Sequence, residues 1–350
     1  MKKTLIITLS VLLFPLLGVE VDAQSLPELY RLAKEEGQLN LYGGGPAALY
    51  TPDAKLFEER FPGIKVVVRG DFSNRLTGLI DSQIKQRKME ADIAVLQTIQ
   101  DFVRWKKEGV LVPFKPEAFA KIPSDFKDND GTYNGIAVIG IIYAYNPKLV
   151  DQRDVPKTAK DFLHSRFMGK IISTYPHDDD ITLYLYYGIV EKHGWGFMDG
   201  LMKNKPSFVM GHQGVAQKIG TGDFAVTFDA TTTQAAAEKN RGASLDVLIP
   251  EDTFPIWAQT VGIFKGAPHP NTAKLYLAWY LSDEQQNRMV KRGGRWSPRN
   301  DLAPPAGFRQ IMEYRIADKF REFITDDSRI EGLRKKFEEV IGPVKGEAYR

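Results

Sequence analysis

The residues of this chain with the clearest capacity for chemistry form one run, His177-Asp178-Asp179-Asp180, an imidazole followed by three carboxylates. Such a run could ligate a cation or hold an amine, because carboxylate oxygens and imidazole nitrogens suit several metals. The carboxylates could equally cap the N-terminus of a helix and complement its dipole without any ligand. The sequence leaves both interpretations open, and with them the identity of any metal.

A second candidate is the triple glycine Gly43-Gly44-Gly45, which lies between a predicted strand and a predicted helix. Glycine lets backbone N–H groups come close to an anion or a polar oxygen at the start of a helix. A flexible turn is the alternative, but three consecutive glycines cost conformational entropy that a plain turn does not require. We therefore favour contact with a ligand.

Polar side chains also follow the second and third predicted strands. Ser73 or Asn74 could cap the next helix, while Arg75 could reach an anionic group with its planar fork or remain a solvated surface charge. Gln97 and Thr98 end the third strand, where ligand contacts are frequent in open α/β sheets.

Later in the chain, Asp229 and the threonines after it end another strand, although Thr231 could serve simply as a helix N-cap. Trp257 could stack on an organic ligand, but burial of tryptophan in the core is the commoner outcome. The predicted ligand-binding residues are Gly43, Gly44, Gly45, Ser73, Asn74, Arg75, Gln97, Thr98, Tyr143, Tyr175, His177, Asp178, Asp179, Asp180, Asp229, Thr231, Thr232, Trp257 and Gln259.

The elements that must position these residues alternate between strand and helix, which predicts a mixed, mostly parallel α/β sheet. Predicted strands are the segments 39–42, 64–69, 91–96, 169–174, 223–228 and 246–249. A helix is predicted at 158–164, and the β-branched segment 64–69 is expected to be buried. The strand-like segments 135–145 and 256–265 are read as crossings between two lobes, whose facing loops would line a ligand cleft.

Composition narrows the function further. The chain has 350 residues, a formal net charge of +3 and no cysteine. This charge is too balanced to favour nucleic acid, and the lack of cysteine removes disulfides, thiolate nucleophiles and cysteine metal sites. A chain of this length can bury its own core without disulfides.

The N-terminus has the pattern of a secretory signal peptide. Lys2 and Lys3 precede an apolar run, and Val21-Asp22-Ala23 supplies small residues for cleavage. The run is shorter than the ~20 residues of a membrane-spanning helix. We expect residues 1–23 to be removed and the mature protein to be soluble in the periplasm.

Several segments, taken in order, resemble the periplasmic solute-binding proteins of ABC importers, in the ferric-iron-type branch. They are Phe57 to Val66 (FEERFPGIKV), Ala91 to Val95 (ADIAV), Glu108 to Phe114 (EGVLVPF), His269 to Lys274 (HPNTAK), Thr174 to Asp180 (TYPHDDD) and Trp296 to Arg299 (WSPR). The resemblance implies the two-lobed type II periplasmic binding protein fold. It also implies a monomer that binds a small-molecule ligand and ABC permease subunits, with no cofactor and no enzymatic activity.

Within that resemblance we expect residues 24–140 plus 258–350 in lobe 1 and residues 141–257 in lobe 2. Ferric-binding members hold iron with adjacent tyrosines after the strand that corresponds to 223–228, where this chain has Asp229-Ala230-Thr231. The adjacent tyrosines Tyr186 and Tyr187 fall in a predicted helix, where packing is expected instead.

The leading hypothesis is a solute-binding protein that closes its lobes over an organic anion, a phosphorylated compound or a zwitterion. Ferric iron is one more candidate ligand. The alternative is a metal-assisted periplasmic hydrolase that uses His177 and Asp178 to Asp180, although no HExxH, G-x-S-x-G or P-loop motif is present. A third hypothesis is a receptor whose closed form docks on a sensor instead of a permease, since both partners would contact outer lobe surfaces that leave no motif.

Overall fold

The computed structural model describes residues 25–252, 254–314 and 319–346. The predicted signal peptide lies outside these residues. The α-helices are α1 (Leu26–Glu36), α2 (Thr51–Arg60), α3 (Ser73–Gln86), α4 (Ile99–Lys107), α5 (Asp180–His193), α6 (Gly196–Lys203), α7 (Val215–Thr221), α8 (Thr232–Asn240), α9 (Pro270–Tyr280), α10 (Asp283–Lys291), α11 (Lys319–Ile324) and α12 (Asp327–Ile341). The strands are β1 (Gln38–Gly44), β2 (Lys65–Asp71), β3 (Ile93–Leu96), β4 (Leu111–Val112), β5 (Asn134–Tyr145), β6 (Ile172–Thr174), β7 (Ser207–Val209), β8 (Val226–Thr231), β9 (Asp246–Leu248) and β10 (Ile256–Phe264).

Most strands form one mixed sheet in the order β2-β1-β3-β10-β5-β8, to which β4 and β9 add at the sides. β1 is parallel to both β2 and β3, whereas β10 is antiparallel to β3 and to β5. β6 and β7 form a small parallel pair that meets β8 through a bridge between Ile171 and Val226. The alternation of strands and helices predicted this mixed α/β arrangement, but most of the described ladders are antiparallel and not parallel, because β5 and β10 run antiparallel to every strand they pair with.

β5 and β10 are the two central strands and run through the predicted crossings. All 12 residues of β5 are buried, and the β5–β10 ladder shifts register between Gln259 and Thr260. A register shift is a local irregularity at which a strand bends. The boundaries of the lobes remain a prediction.

Two predicted elements differ in detail. The segment 64–69 was expected to be a buried strand, but β2 is the last strand in the sheet order and Val67 is 50% exposed. A run of β-branched residues predicts a strand equally well at an edge and in a sheet centre, so burial was the wrong part of that prediction. The helix expected at 158–164 is a short 3₁₀ helix, Ala159–Leu163.

The C-terminal helices lie against helix α5. Tyr184 and Tyr187 of α5 contact Phe323 of α11, with ring centroids 5.0 and 4.8 Å apart. Phe337 of α12 packs on Tyr186 of α5. Helices α11 and α12 therefore contact residues that our boundaries assign to lobe 2. Within the described part of the chain, no helix is long and apolar enough to cross a membrane.

Candidate functional site

The larger cavity beside the central strands has a volume of about 710 Å³, within the range of small-molecule sites. We call it the basic cavity, because the cationic side chains Arg241, Arg292, Arg295 and His212 line it. Arg241 pairs with Glu238, and Arg292 pairs with the buried Asp53 at 2.6 Å. Among the described residues, Arg295 has neither a hydrogen bond nor an ion pair, so its charge is available to a ligand.

The N-terminus of helix α3 opens onto this cavity. Its N-cap is Phe72, and no side chain accepts a hydrogen bond from the first turn. The expectation that Ser73 or Asn74 caps the helix is therefore wrong, because both residues lie inside the helix. Free N–H groups at a helix N-terminus favour anions.

The triple glycine is explained mainly by packing. A Cβ atom on Gly43 would lie 2.3 Å from the Tyr50 ring, and one on Gly44 would lie 2.4 Å from Ser73 Oγ. Gly45 has φ of 98°, a conformation that other residues rarely adopt. Gly44 and Gly45 still line the basic cavity. The glycines thus let Tyr50 and the start of α3 approach the end of β1.

A second cavity of about 400 Å³ adjoins the first, since both are lined by Phe72, Ser73, Gln97, Asp179 and Gly211. We call it the acidic cavity, because its lining contains four carboxylates and only two arginines. The carboxylates and arginines are Asp101, Asp178, Asp179, Asp180, Arg75 and Arg334.

The three carboxylates of the run predicted as a cation site have different roles in the structure. Asp179 caps helix α5, where its Oδ1 accepts hydrogen bonds from the N–H groups of Ile181 and Thr182 at 3.0 Å. Asp180 is buried, and burial raises the pKa of its carboxyl despite the pairing with Arg334. Asp178 is exposed, and its pKa is raised by partial burial and by the neighbouring Asp179. Helix capping, one of the two interpretations left open, is thus the role of Asp179.

A chain of hydrogen bonds and ion pairs includes Gln97 and Asp179, which line both cavities. His212 Nε2 lies 3.0 Å from Asp229 Oδ1, His212 Nδ1 lies 3.8 Å from Asp179 Oδ2, and Gln97 Nε2 donates to the same Asp179 oxygen at 3.3 Å. Burial opposes a charge on His212, but Asp229 and Asp179 outweigh it and raise the pKa of His212 to about 9. Fully buried Asp229 also accepts hydrogen bonds from Ser173 and Thr174. We call Gln97, Asp179, His212 and Asp229 the partition.

Buried polar atoms without a hydrogen-bond partner concentrate around these cavities. In the part of the chain that the structure describes, they are Thr98 Oγ1, Gln100 Oε1, Arg334 Nε and both His177 ring nitrogens in the acidic cavity, Trp257 Nε1 and Gln259 Oε1 in the basic cavity, and Gln285 Oε1 elsewhere. Buried polar atoms in folded proteins are almost always hydrogen-bonded. Partners for these atoms must therefore come from outside the described residues, with a ligand or water as candidates.

Most residues predicted from the sequence line one or both cavities. They are Gly44, Gly45, Ser73, Asn74, Arg75, Gln97, Thr98, His177, Asp178, Asp179, Asp180, Thr231, Trp257 and Gln259. Thr231 is also the N-cap of helix α8, as the alternative interpretation predicted. Their role in binding remains a prediction.

The other predicted residues lie behind the cavity walls. Buried Tyr143 donates to Asp252 at 2.9 Å, and Tyr175 packs its ring on Phe208. Thr232 donates its hydroxyl to the Gly294 carbonyl at 2.6 Å, and Gly43 lies against Tyr50. Asp229 belongs to the partition. We find these five among the packing that supports the cavities and not among their lining.

Sequence reasoning missed the cationic side chains of the basic cavity and Arg334 of the acidic one. Arg292 and Arg295 flank a glycine pair in the run Lys291-Arg292-Gly293-Gly294-Arg295, a signal that could have drawn attention to them. His212 lacks metal-ligand spacing to other histidines, and its partners are carboxylates distant in sequence.

Tyr186 and Tyr187 line neither cavity. Tyr186 is fully buried and donates to Ser173 Oγ at 3.0 Å, and its burial raises its pKa far above the ordinary range. Tyr187 stacks on Phe323. The packing role expected for this pair agrees with these contacts. The described residues contain no group of three or more His, Cys, Asp or Glu side chains arranged to hold a metal ion.

The sequence of this chain also matches a known family. Residues 54–312 match the family described as "Bacterial extracellular solute-binding protein". The chain belongs to this family. The predicted resemblance to the solute-binding proteins of ABC importers, and the function class of solute-binding component, are thereby confirmed.

Solved structures with the same fold extend the comparison. Iron-bound HitA from Pseudomonas aeruginosa is 20% identical, with a TM-score of 0.68 over 86% of this chain and 99% of that one. AfuA from Actinobacillus pleuropneumoniae, with fructose-6-phosphate bound, is 18% identical with a TM-score of 0.70 over 87% and 98%. The substrate binding protein of an ABC transporter from Agrobacterium tumefaciens is 16% identical with a TM-score of 0.75 over 94% and 97%. These structures confirm the predicted two-lobed fold of our solute-binding protein.

Among curated proteins, the "probable ABC transporter periplasmic-binding protein y4fP" of Sinorhizobium fredii is 22% identical over 212 residues. The match spans 57% of this solute-binding protein and 58% of the length of y4fP. The ligand and the permease partners are therefore matters for proposal. None of the comparisons supports the hydrolase alternative.

Proposed function

We propose that this protein binds a small organic anion in the periplasm and delivers it to the permease of an ABC importer, without catalysing a reaction. The anionic group, a phosphate or a carboxylate, lies in the basic cavity beside Arg295 and the start of helix α3. The two lobes close over the ligand about the crossing strands β5 and β10. Closure of two domains about a few hinge residues is a common binding motion.

The carrying observation is the unpaired charge of Arg295 in a cavity that also contains an unpartnered buried donor, Trp257 Nε1. Trp257 is 5% exposed, and its Nε1 has no hydrogen-bond partner among the described residues. An arginine fork matches the geometry of phosphate and carboxylate oxygens. An anion would supply acceptors to Arg295, Trp257 Nε1 and the free N–H groups of helix α3 together.

An organic anion is better supported than ferric iron. The adjacent tyrosines are packed against other side chains, whereas the unpaired charge of Arg295 in the basic cavity repels a bare cation. Among similar folds, AfuA is described with a sugar phosphate and HitA with iron, so this fold accommodates either ligand class. The positive charge of the basic cavity favours the sugar phosphate class over iron.

Native mass spectrometry of the chain without residues 1–23, purified without added ligand, would identify a retained ligand. Isothermal titration with fructose 6-phosphate, glycerol 3-phosphate and succinate would then measure affinity. We expect Arg295→Gln to weaken binding of the best ligand by about 10- to 100-fold, because a hydrogen bond to a charged group contributes about 1.5–3 kcal/mol.

Arg288→Gln is the matched control, since Arg288 lies on helix α10 outside both cavities and pairs with Glu284 at 2.9 Å. Its affinity should equal that of the unmodified protein. Equal affinity of Arg295→Gln and the control, or stoichiometric iron in the purified protein, would contradict the proposal.

A further inference from the structure

The acidic cavity has features that the anion site does not use. It adjoins the basic cavity at five shared lining residues, and its carboxylates outnumber its arginines. Both arginines already have partners: Arg75 lies 3.6 Å from Asp71, and Arg334 pairs with Asp180. The Asp178 side chain has no hydrogen bond or ion pair with any described residue. A second anion placed here would therefore meet an uncompensated carboxylate.

Two of the unpartnered atoms of this cavity, Thr98 Oγ1 and Gln100 Oε1, are acceptors without a donor. Thr98 is 6% exposed, and its hydroxyl has no partner among the described residues. Gln100 donates its Nε2 to Asp180 at 2.8 Å, which fixes the amide orientation and leaves the buried Oε1 without a donor. An unsatisfied buried polar atom costs about 1–3 kcal/mol. A ligand group that donates hydrogen bonds would satisfy Gln100 and Thr98 together.

We propose that the acidic cavity is a second subsite for the same ligand, which binds a hydrogen-bond-donating end, a hydroxyl or an ammonium group, and rejects a second anion. Thr98 and Gln100 recognise the donor, and Asp178 excludes negative charge. This inference rests on the proposed function, because the anionic end must lie in the basic cavity. The ligand class is thus a compound with one anionic group and a polar, uncharged or cationic far end.

Four probe compounds test the anion, the donor tail and the second anion separately, by isothermal titration of the chain without residues 1–23. Ethyl phosphate presents the anion with an apolar tail, glycerol 3-phosphate adds hydroxyls, O-phosphoethanolamine adds an ammonium group, and ethylene glycol bisphosphate adds a second anion. We expect at least one of the two donor-tailed probes to bind about tenfold more tightly than ethyl phosphate. The bisphosphate should bind no more tightly than ethyl phosphate, and the better tail identifies the donor.

Two variants test the named residues. Thr98→Val keeps the side-chain shape and should remove most of the affinity advantage that the donor-tailed probes have over ethyl phosphate. Its free energy of unfolding should not fall, because the lost hydroxyl has no partner in the described chain. Asp178→Asn should improve bisphosphate binding severalfold, whereas Asp199→Asn, an exposed aspartate on α6, should change neither probe.

The outcomes distinguish this inference from the proposed function. If ethyl phosphate binds in an Arg295-dependent manner but no donor tail improves it, the anion site stands and the second subsite is wrong. The same holds if Thr98→Val preserves the full advantage of the tail, or if the bisphosphate binds most tightly. If no probe binds at all, the anion site and the subsite that depends on it both fail.

Discussion

The basic and acidic cavities are built from the same kind of unit, a strand that leads through a loop into a helix N-terminus, but they differ in charge. Helix α8 opens onto the basic cavity with Thr231 as its N-cap, a neutral side chain that accepts from Gln234 N at 3.2 Å. Helix α5 opens onto the acidic cavity with Asp179 as its N-cap. Both caps satisfy the backbone, but Thr231 adds no charge to the basic cavity, whereas Asp179 adds a carboxylate where the two cavities meet.

The partition lies where these two charge environments meet. Protonated His212 lies between Asp229 and Asp179, and Gln97 extends the contact to the end of β3. The difference in charge between the cavities therefore depends on one buried histidine and two carboxylates. Changes to the partition should have larger effects than changes at either cavity wall.

The largest effect is expected from Asp229→Ala, which breaks the partition. It leaves the buried His212 without its nearest carboxylate and removes the acceptor for Ser173 and Thr174. Removing one partner of a buried ion pair costs about 3–5 kcal/mol, so the free energy of unfolding should fall by that amount. Urea denaturation at pH 7 measures it.

Asp223→Ala is the control, since Asp223 is 58% exposed and lies 4.0 Å from Lys218. Exposed substitutions of this kind change stability by about 0.5 kcal/mol or less. If the two alanine variants were equally stable, the Asp229 contacts of the partition would contribute nothing to the free energy of unfolding.

A second effect comes from pH, which removes the positive charge of the partition without a mutation. The pKa of His212 is about 9 in the folded chain and about 6.5 when unfolded. The stabilisation is therefore complete below the unfolded value and is lost as pH rises through the folded one. The difference corresponds to roughly 3 kcal/mol.

The measurement is the free energy of unfolding at pH 6, 8 and 10 for the unmodified protein and for His212→Gln. The gap between them should narrow as pH rises, because other titrating groups are common to both proteins. A gap that stays constant across this range would mean that His212 is neutral in the folded chain, and the partition would then carry no positive charge.

The sequence predicts the framework of these cavities better than their charge. Local residues account for helix α1, where Ser25 caps the N-terminus and Gly37 with φ of 70° ends the helix. The crossings at 135–145 and 256–265 agree with β5 and β10 within a residue at each end. Such features depend on neighbouring residues, which a sequence displays directly.

The cavity charges were missed because they depend on residues that the fold brings together. Arg295 reaches the basic cavity from a loop after α10, and Arg334 reaches the acidic one from α12. The glycine run was attributed to a ligand, although the Tyr50 ring accounts for Gly43. No local pattern distinguishes a glycine required by a ligand from one required by a neighbouring ring.

The smallest of these effects is expected from Arg334→Gln in the acidic cavity. The variant leaves buried Asp180 with Gln100 as its remaining hydrogen-bond partner among the described residues. Because Arg334 is 43% exposed, solvent screens the pair, and we expect a loss of about 1–2 kcal/mol at pH 7. Arg329→Gln on the same helix is the control, since its pair with Asp326 is exposed on both sides.

The pH dependence of this loss identifies its cause. Burial raises the pKa of Asp180 and Arg334 opposes that rise, so the pKa in the variant should be higher still. A carboxyl with a raised folded pKa stabilises the folded state at low pH, and that contribution is lost as pH rises through the folded value. The cost of Arg334→Gln should therefore shrink as pH falls from 7 to 4 in urea denaturation. If the cost in unfolding free energy stays the same, Arg334 stabilises the protein through packing alone. The charge of the acidic cavity would then depend on Asp178 and Asp179.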